Sequence, residues 1–429
     1  MPLPAVMFIT FTLLLLIRVP LAFSLGIASL ITMFLAKIPL ESLAHVYFTA
    51  VDNFAFMAIP LFVFAGSLME RGGISQRLID IADILFGKMS GGLGLVTIAT
   101  SMFFAALTGC GNTATAAVGA LMIPSMIRRG YAPAFSGAVT AVGGTMGTLI
   151  PPSLTLIVYG ILADVSIARL FLGAMVQGLI LGVLLMINTY IVARRKGYKG
   201  SETRFNLRNL AKAVNRGKWA LIAPVIILGG IYGGFITPTE SAVIAVVYGF
   251  VVGAFIHREL DLPTFIECLK SSVEVTGVVG IIWGTALGFG QLISYFEIPQ
   301  QLSQFMIGVT TNPTAILVII SVWETFIGTW MNTMAQIVIM TPIYLQIIGA
   351  VGIDPVAFGI IFVLNCEEGF VTPPLGTSLF VAMPIAKVGL GEISYATLPL
   401  LIALWVTTGL VIVFNDICLW LPNLFMGPG

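Results

Sequence analysis

Charge, histidine and paired cysteines are all scarce in this sequence, and each shortage excludes a class of function. Only 9% of the 429 residues are charged, whereas 58% are apolar, and the mean hydropathy is +1.05. A soluble core cannot accommodate so much apolar sequence, so we expect a polytopic membrane protein. The net charge of +1 gives no indication of nucleic-acid binding.

The two histidines, His45 and His257, are too few for a histidine metal site or a Ser/His catalytic pair. No Walker, Rossmann or Gly-x-Ser-x-Gly pattern occurs, so neither ATP hydrolysis nor hydrolase chemistry is indicated. The cysteines lack CxxC and Cys/His spacing and are interpreted as packing residues. They are Cys110, Cys268, Cys366 and Cys418.

The stretch from Gly144 to Ser153, GTMGTLIPPS, interrupts apolar sequence of membrane length. Two consecutive prolines remove two backbone donors, and glycines four and seven residues before Pro151 loosen the preceding turns. We therefore expect a broken helix here. In hydrocarbon, unwound backbone is tolerated only where protein buries it or a wet cavity adjoins it, so the break predicts a binding site.

The same pattern recurs in the second half of the chain, at 365–378. Ordered matches of this kind indicate an internal repeat, and doubled broken helices are typical of secondary transporters. The matches are Pro151-Pro152 with Pro373-Pro374, Asn112-Thr113 with Asn332-Thr333, and Gly66, Ile74 and Leu78 with Gly290, Ile298 and Leu302.

Positive charge is distributed unequally along the chain. Seventeen of the 20 Lys and Arg residues lie in the first 218 positions, nine of them from 194 to 218, and none occurs from 271 to 386. By the positive-inside rule, Arg128-Arg129 and the basic connector are cytoplasmic, whereas the loop at 350–355 is outside. The two repeats are therefore predicted to be inverted.

Together these patterns predict an all-α polytopic membrane protein with two inverted repeats, re-entrant helical hairpins and broken transmembrane helices. Segments with mixed polar and apolar residues at helical spacing are interpreted as interfacial arms. The predicted segments are a first repeat at 1–193, beginning in a retained span, with an arm at 70–88, a hairpin near 90–128 and a broken helix near 131–163; a basic cytoplasmic connector at 194–217; and a second repeat at 218–429, with an arm at 294–308, a hairpin near 312–350, a broken helix near 355–386 and a final span.

Each break should release carbonyl oxygens at the negative end of a half-helix dipole, where a cation is stabilised. Carbonyl and amide oxygens are hard ligands, which suit sodium. One proline pair would more simply kink a packed helix, but two pairs in matched positions favour ion sites. The candidate ligands are Gly147, Ile150 and Asn112 in the first repeat and Gly369, Thr372, Asn332 and Gly328 in the second.

Beyond each proline pair a new half-helix begins, and its N-terminal amides should attract a substrate carboxylate. Nearby hydroxyl and amide side chains would add neutral hydrogen bonds. For any single one of them, capping of a helix end is the simpler explanation. The candidate substrate-binding residues are Thr113, Thr115, Thr145, Thr148, Ser153, Thr333, Gln336, Thr377 and Ser378.

Three acids, Glu324, Glu367 and Glu368, fall within predicted membrane segments. An acid at that depth is costly and is usually paired or functional. Glu367 or Glu368 either senses protons or sodium, or bonds to backbone or faces a wet vestibule, and both interpretations stay open. Glu240 is different, because a place in the first turn of a helix explains it.

Four motifs together resemble the large membrane subunit of the tripartite ATP-independent periplasmic (TRAP) transporters, over essentially the whole chain. They are GNTAT at 111–115, GTMGTLIPPS at 144–153, GFITPTES at 234–241 and TPPLG at 372–376. The resemblance implies an elevator-type, sodium-driven uptake system in the bacterial inner membrane. Its substrates would be C4-dicarboxylates, sialic acid or similar organic acids.

The resemblance also implies two partners, a separate small four-span membrane subunit and a periplasmic binding protein that delivers the substrate. It places at least two sodium sites at the hairpin tips and broken helices, and adds Pro152 and Pro374 to the candidate sodium ligands. A stand-alone carboxylate or cation/proton antiporter of similar architecture is the alternative. A third interpretation, an intramembrane enzyme, is disfavoured because the chain has too few histidines to supply a catalytic base.

Overall fold

The computed structural model describes residues 2–200 and 206–427, and regular structure within these ranges is helical throughout. In chain order the helices of the first half are α1 (Leu3–Leu16), α2 (Leu21–Ala36), α3 (Glu41–Val51), α4 (Ala58–Met69), α5 (Ser75–Phe86), α6 (Gly92–Thr108), α7 (Gly111–Arg128), α8 (Pro133–Gly144), α9 (Leu154–Ala163) and α10 (Ile167–Arg195). Those of the second half are α11 (Leu207–Tyr232), α12 (Pro238–Val251), α13 (Leu262–Tyr295), α14 (Ile298–Val309), α15 (Pro313–Gly328), α16 (Thr333–Ala350), α17 (Pro355–Val371), α18 (Thr377–Ala386), α19 (Leu390–Val413) and α20 (Asp416–Met426).

Local sequence explains many of the helix starts. Helices α8, α15 and α17 each begin with proline, which lacks the amide that the first turn leaves unpaired. The Asn312 and Asp354 side chains cap the latter two helices. Thr237 and Glu240 form a capping box at the start of α12, which confirms the predicted place of Glu240 in a first helical turn.

Hairpins, broken helices and amphipathic arms occur twice in the same order. The α6–α7 hairpin and the broken helix α8–α9 correspond to α15–α16 and to α17–α18, and the arm α5 corresponds to α14. Helix packing shows the same correspondence between repeats. Helix α2 contacts α13 as α12 contacts α4, and α7 contacts α18 as α16 contacts α9. The predicted all-helical polytopic class, with this repeated architecture, is confirmed; the orientation of each repeat in a membrane stays a prediction.

Seven helices of the described residues are long and apolar enough to cross a membrane. The chain starts with α1, where a retained span is predicted, and that prediction stays open. Helix α1 has 14 residues and rises about 21 Å, which is short of a hydrocarbon core of about 30 Å. It turns at Arg18 and packs against α2.

The structure adds helices within or after two other predicted segments. The basic connector is largely helical outside 201–205, because α10 continues to Arg195 and α11 begins at Leu207. After the final predicted span, α20 follows and packs against α10. Helix α20 is apolar but, at 11 residues, too short to cross a membrane, and the sequence analysis did not separate it from the final span.

Candidate transport site

The first break lies between α8 and α9. A 3-10 turn, Thr145–Thr148, follows α8, and the chain is then non-helical until Leu154, where α9 begins. Ser153 caps α9 by accepting a hydrogen bond from the amide of Leu156 at 3.2 Å. Every residue from Thr145 to Ser153 is buried, so this unwound backbone is enclosed by protein, as its polar groups require in an apolar setting.

The second break, between α17 and α18, is organised differently. Gly376 precedes α18 with a φ of 56°, a left-handed conformation that suits glycine, and no side chain caps the helix. Pro374 is exposed, and 43% of Leu375 is accessible. The two proline pairs therefore both interrupt a helix, but the first is buried and the second is partly exposed.

Each hairpin tip rests against a glycine of the break in its own repeat. A Cβ added to Gly147 would lie 2.8 Å from the carbonyl carbon and oxygen of Cys110, and one added to Gly369 would lie 2.4 Å from the Cα of Gly328. Both distances are too short for a real side-chain atom. The absence of a Cβ therefore allows the backbone of the hairpin tip to pack directly against the break in both repeats, where the sodium ligands are predicted.

A backbone hydrogen bond also joins each tip to the half-helix beyond the break. The amide of Leu154 donates to the carbonyl of Gly109 at 3.3 Å, and the amide of Gly376 donates to the carbonyl of Thr329 at 3.1 Å. These bonds occupy amides at the very start of the half-helices. Fewer amides are thus free for a substrate carboxylate than the sequence predicted.

Two side-chain hydrogen bonds connect the elements across the site. The hydroxyl of Ser378, on α18, donates to Oδ1 of Asn112 at 2.9 Å, although 266 positions separate them. The hydroxyl of Thr333, on the second hairpin, donates to Oε1 of Glu367 at 3.3 Å. The predicted residues of both repeats therefore converge on one region.

Several other predicted site residues bond locally. Asn332 is exposed, and its Oδ1 caps α16 by accepting from the amide of Met334 at 2.9 Å. Thr145 and Thr148 donate to the carbonyls of Val142 at 2.7 Å and of Thr145 at 3.1 Å. For the two threonines, candidate substrate-binding residues, these are the local hydrogen bonds that were weighed against a substrate role, whereas Asn332 is a candidate sodium ligand.

The remaining candidates differ in how far their polar atoms are engaged. Thr372 donates its hydroxyl to the carbonyl of Glu368 at 2.6 Å, and its amide donates to the carbonyl of Gly369 at 3.1 Å. The amide of Ile150 donates to the carbonyl of Met146 at 2.9 Å, and the Ile150 side chain packs against Gly178. The carbonyl of Pro152 lies against Gly109. Thr113 is exposed. The buried atoms without a hydrogen-bond partner among the described residues include Oγ1 of Thr115, Oγ1 of Thr377, Oε1 of Gln336 and Oε2 of Glu367.

All three membrane acids are buried, and hydroxyl groups donate to each of them. Glu324 accepts from Tyr344, a contact within the second hairpin. Glu368 accepts from Thr325 at 3.0 Å and from Thr408. Sequence reasoning did not identify these donors, because only Thr325 lies next to an acid in the sequence and nothing local connects Thr408, on α19, with the break.

Two hairpin tips that meet two broken helices inside an apolar helical protein define a membrane transporter of the repeated-hairpin class. The chain belongs to the family of the tripartite ATP-independent periplasmic transporter, DctM component, whose model matches residues 8–417. This finding confirms the predicted resemblance, and relatives are named as permeases rather than enzymes.

Three relatives are similar over most of this chain. The isethionate TRAP transporter permease protein DctMQ of Oleidesulfovibrio alaskensis is 45% identical over 93% of this chain, which spans 63% of that longer protein. The sialic acid TRAP transporter large permease SiaM of Vibrio cholerae is 35% identical, with 88% of each chain covered. The C4-dicarboxylate large permease DctM of Pseudomonas aeruginosa is 36% identical, over 93% of this chain and 94% of that one.

Among solved structures, the YdaH transporter of Alcanivorax borkumensis has a similar fold. Its TM-score is 0.63 with 14% sequence identity, and the match covers 88% of this chain and 90% of the other. At that identity the likeness concerns the fold alone.

Proposed function

We propose that this chain is the transporting subunit of a sodium-driven uptake system for a small organic anion. The observation that carries the proposal is the convergence of two matched breaks and two hairpin tips, joined across the repeats by the Ser378–Asn112 hydrogen bond. Unwound carbonyls favour a cation and half-helix starts favour an anion, so one region can bind both.

The candidate substrates are C4-dicarboxylates, sialic acid and isethionate, the compounds named for the relatives. Isethionate is the first to test, since the permease named for it is 45% identical. All are organic anions, which fits a site whose polar atoms are mostly hydroxyls, amides and carbonyls.

The mechanism proposed is elevator-type alternating access in the inner membrane. The hairpins and broken helices would move as one body, because each tip is bonded to the break of its own repeat. The proposed partners are a small four-span membrane subunit and a periplasmic binding protein. At least two sodium ions would bind, one at each break, with no ATP consumed.

The test is uptake by proteoliposomes that contain this chain and its proposed small membrane subunit. The proposed periplasmic binding protein is added outside the vesicles. Labelled isethionate, succinate and sialic acid are compared under an inward sodium gradient and an equal choline gradient. Accumulation only with sodium supports the proposal. Equal accumulation with choline would exclude sodium coupling and favour the alternative of a proton-linked carrier.

A further inference from the structure

The buried ionisable acids and bases of the described residues are all acids. Among the described residues, Glu324, Glu367 and Glu368 are buried with at most 2% of their surface accessible, and no lysine or arginine is buried. Carboxylates in an apolar interior require compensation by hydrogen bonds, protons or cations. All three lie in the second repeat; the residues at the corresponding positions of the first repeat, Phe104, Thr145 and Met146, carry no charge.

The three acids differ in their hydrogen bonds and in what they face. Both oxygens of Glu368 accept from hydroxyls, Oε2 from Thr325 and Oε1 from Thr408. Glu324 accepts on Oε1 from Tyr344, whose ring packs edge-on against aromatic neighbours on α17, whereas its Oε2, like that of Glu367, has no partner among the described residues. Glu367 is the acid that faces the hairpin tips.

The carboxylate of Glu367 lies where all four elements of the site meet. Its Oε1 accepts from Thr333 of the second hairpin, whereas its Oε2 has no hydrogen-bond partner among the described residues. A Cβ added to Gly111, on the first hairpin, would lie 2.8 Å from Oε2 and 3.1 Å from the carbonyl oxygen of Gly144, at the end of α8. Both oxygens therefore approach the same side of Gly111.

Two hydroxyls of the first repeat complete this cluster. Thr115 is fully buried, and its Oγ1 has no partner although it lies against the backbone of Gly144. Thr148 interacts with the Glu367 carboxylate but donates its proton to the carbonyl of Thr145. Carboxylate, hydroxyl and carbonyl oxygens from both repeats thus face one another without a cationic side chain.

We propose that this junction binds a monovalent hard cation, sodium, between the two repeats, with Oε2 of Glu367 as its charged ligand and Thr115 and the Gly144 carbonyl as neutral ligands. The set consists of hard oxygens, as sodium requires. An anion is disfavoured here because it would meet the Glu367 carboxylate directly. The inference rests on the proposed sodium coupling, but it adds a site that the repeat symmetry does not predict.

The test measures sodium binding in the absence of any substrate. The full-length chain in lipid nanodiscs is unfolded thermally with sodium chloride replacing choline chloride at constant ionic strength. For the parent we expect saturable stabilisation by sodium. For Glu367→Gln we expect the sodium concentration for half-maximal stabilisation to rise by about tenfold or more, as expected for loss of a metal ligand.

Glu368→Gln is the matched control, because the adjacent acid has hydroxyl donors on both oxygens and should leave the sodium response unchanged. Thr115→Val should raise the half-maximal concentration by less than Glu367→Gln does, and it serves as the decisive variant if the latter does not fold. A parent without a sodium response, or a Glu367→Gln or Thr115→Val variant with the parental response, would overturn the assignment. An equal change in Glu368→Gln would do so as well, since it would make the effect nonspecific.

Failure here is distinguishable from failure of the proposed function. If uptake by the parent requires sodium but Glu367→Gln binds sodium as the parent does, only the junction site is wrong. If uptake by the parent is independent of sodium, the proposed coupling itself is wrong.

Discussion

The two proline breaks share a backbone plan and differ in access and charge. The first is wholly buried and capped by Ser153, whereas the second exposes Pro374 and Leu375 and begins its half-helix at an uncapped glycine. Among the described residues, the buried carboxylates, Glu324, Glu367 and Glu368, all lie in the second repeat. The comparison shows that the proline pair determines where the helix is interrupted in each repeat. The surrounding helices determine how accessible each break is and which charged groups lie near it.

The largest expected effect comes from restoring helix at the breaks. Replacing Pro151 and Pro152 together with alanine favours helix by about 3 kcal/mol for each proline, and should lower uptake by about two orders of magnitude. Replacing Pro373 and Pro374 should lower uptake equally. The thermal midpoint should fall further for the first pair, because its surroundings are completely buried.

The control for this experiment is Pro263→Ala, in the exposed first turn of α13, which should be nearly silent. Normal insertion together with parental uptake in either double variant would mean that the breaks are packing kinks only.

The next comparison concerns the contacts between tip and break. Gly147→Ala and Gly369→Ala each place a methyl group against hairpin backbone, at 2.8 and 2.4 Å. We expect a loss of about 1–3 kcal/mol of stability from overpacking, measured by thermal unfolding, and a matching loss of uptake. Gly349→Ala, with nothing within 4 Å of its added Cβ, is the control. If both site variants are as stable as this control, the tips do not rest on the breaks.

A smaller effect should separate the two asparagines. Asn112→Ala and Asn332→Ala should each raise the sodium concentration for half-maximal uptake, because each removes one candidate oxygen ligand, and the rise should be smaller for the exposed Asn332 than for the partly buried Asn112. Asn332→Ala should also destabilise α16 by about 1 kcal/mol, since this side chain is its cap. Asn332→Ser keeps a capping oxygen and isolates the sodium effect. Unaltered sodium dependence in both alanine variants would place the ions elsewhere.

The last prediction concerns membrane topology, which is measured by cysteine labelling and should leave transport unchanged. Arg195 and Ala350 are both exposed, so burial alone would allow a cysteine at either position to react. With inverted repeats, an impermeant maleimide should label Ala350→Cys on intact cells and Arg195→Cys only after permeabilisation. The background lacks the native cysteines, of which Cys110 is the one not fully buried. Equal labelling on intact cells would contradict the inverted topology.

Sequence alone predicted the features that depend on local backbone chemistry. A proline pair cannot continue a helix, whatever surrounds it, so both breaks and the repeat that contains them were identifiable. The family resemblance followed from motifs that include these breaks, because glycine and proline there set the backbone course locally.

Tertiary structure alone decided which of these elements meet and in what surroundings. Asn112 bonds to Ser378 across 266 positions, and Glu367 reaches Gly111 of the other repeat. No local pattern encodes such pairs, since they depend on how helices from both halves pack. For the same physical reason the sequence did not distinguish the buried first break from the exposed second one: accessibility belongs to the packed assembly and not to the segment.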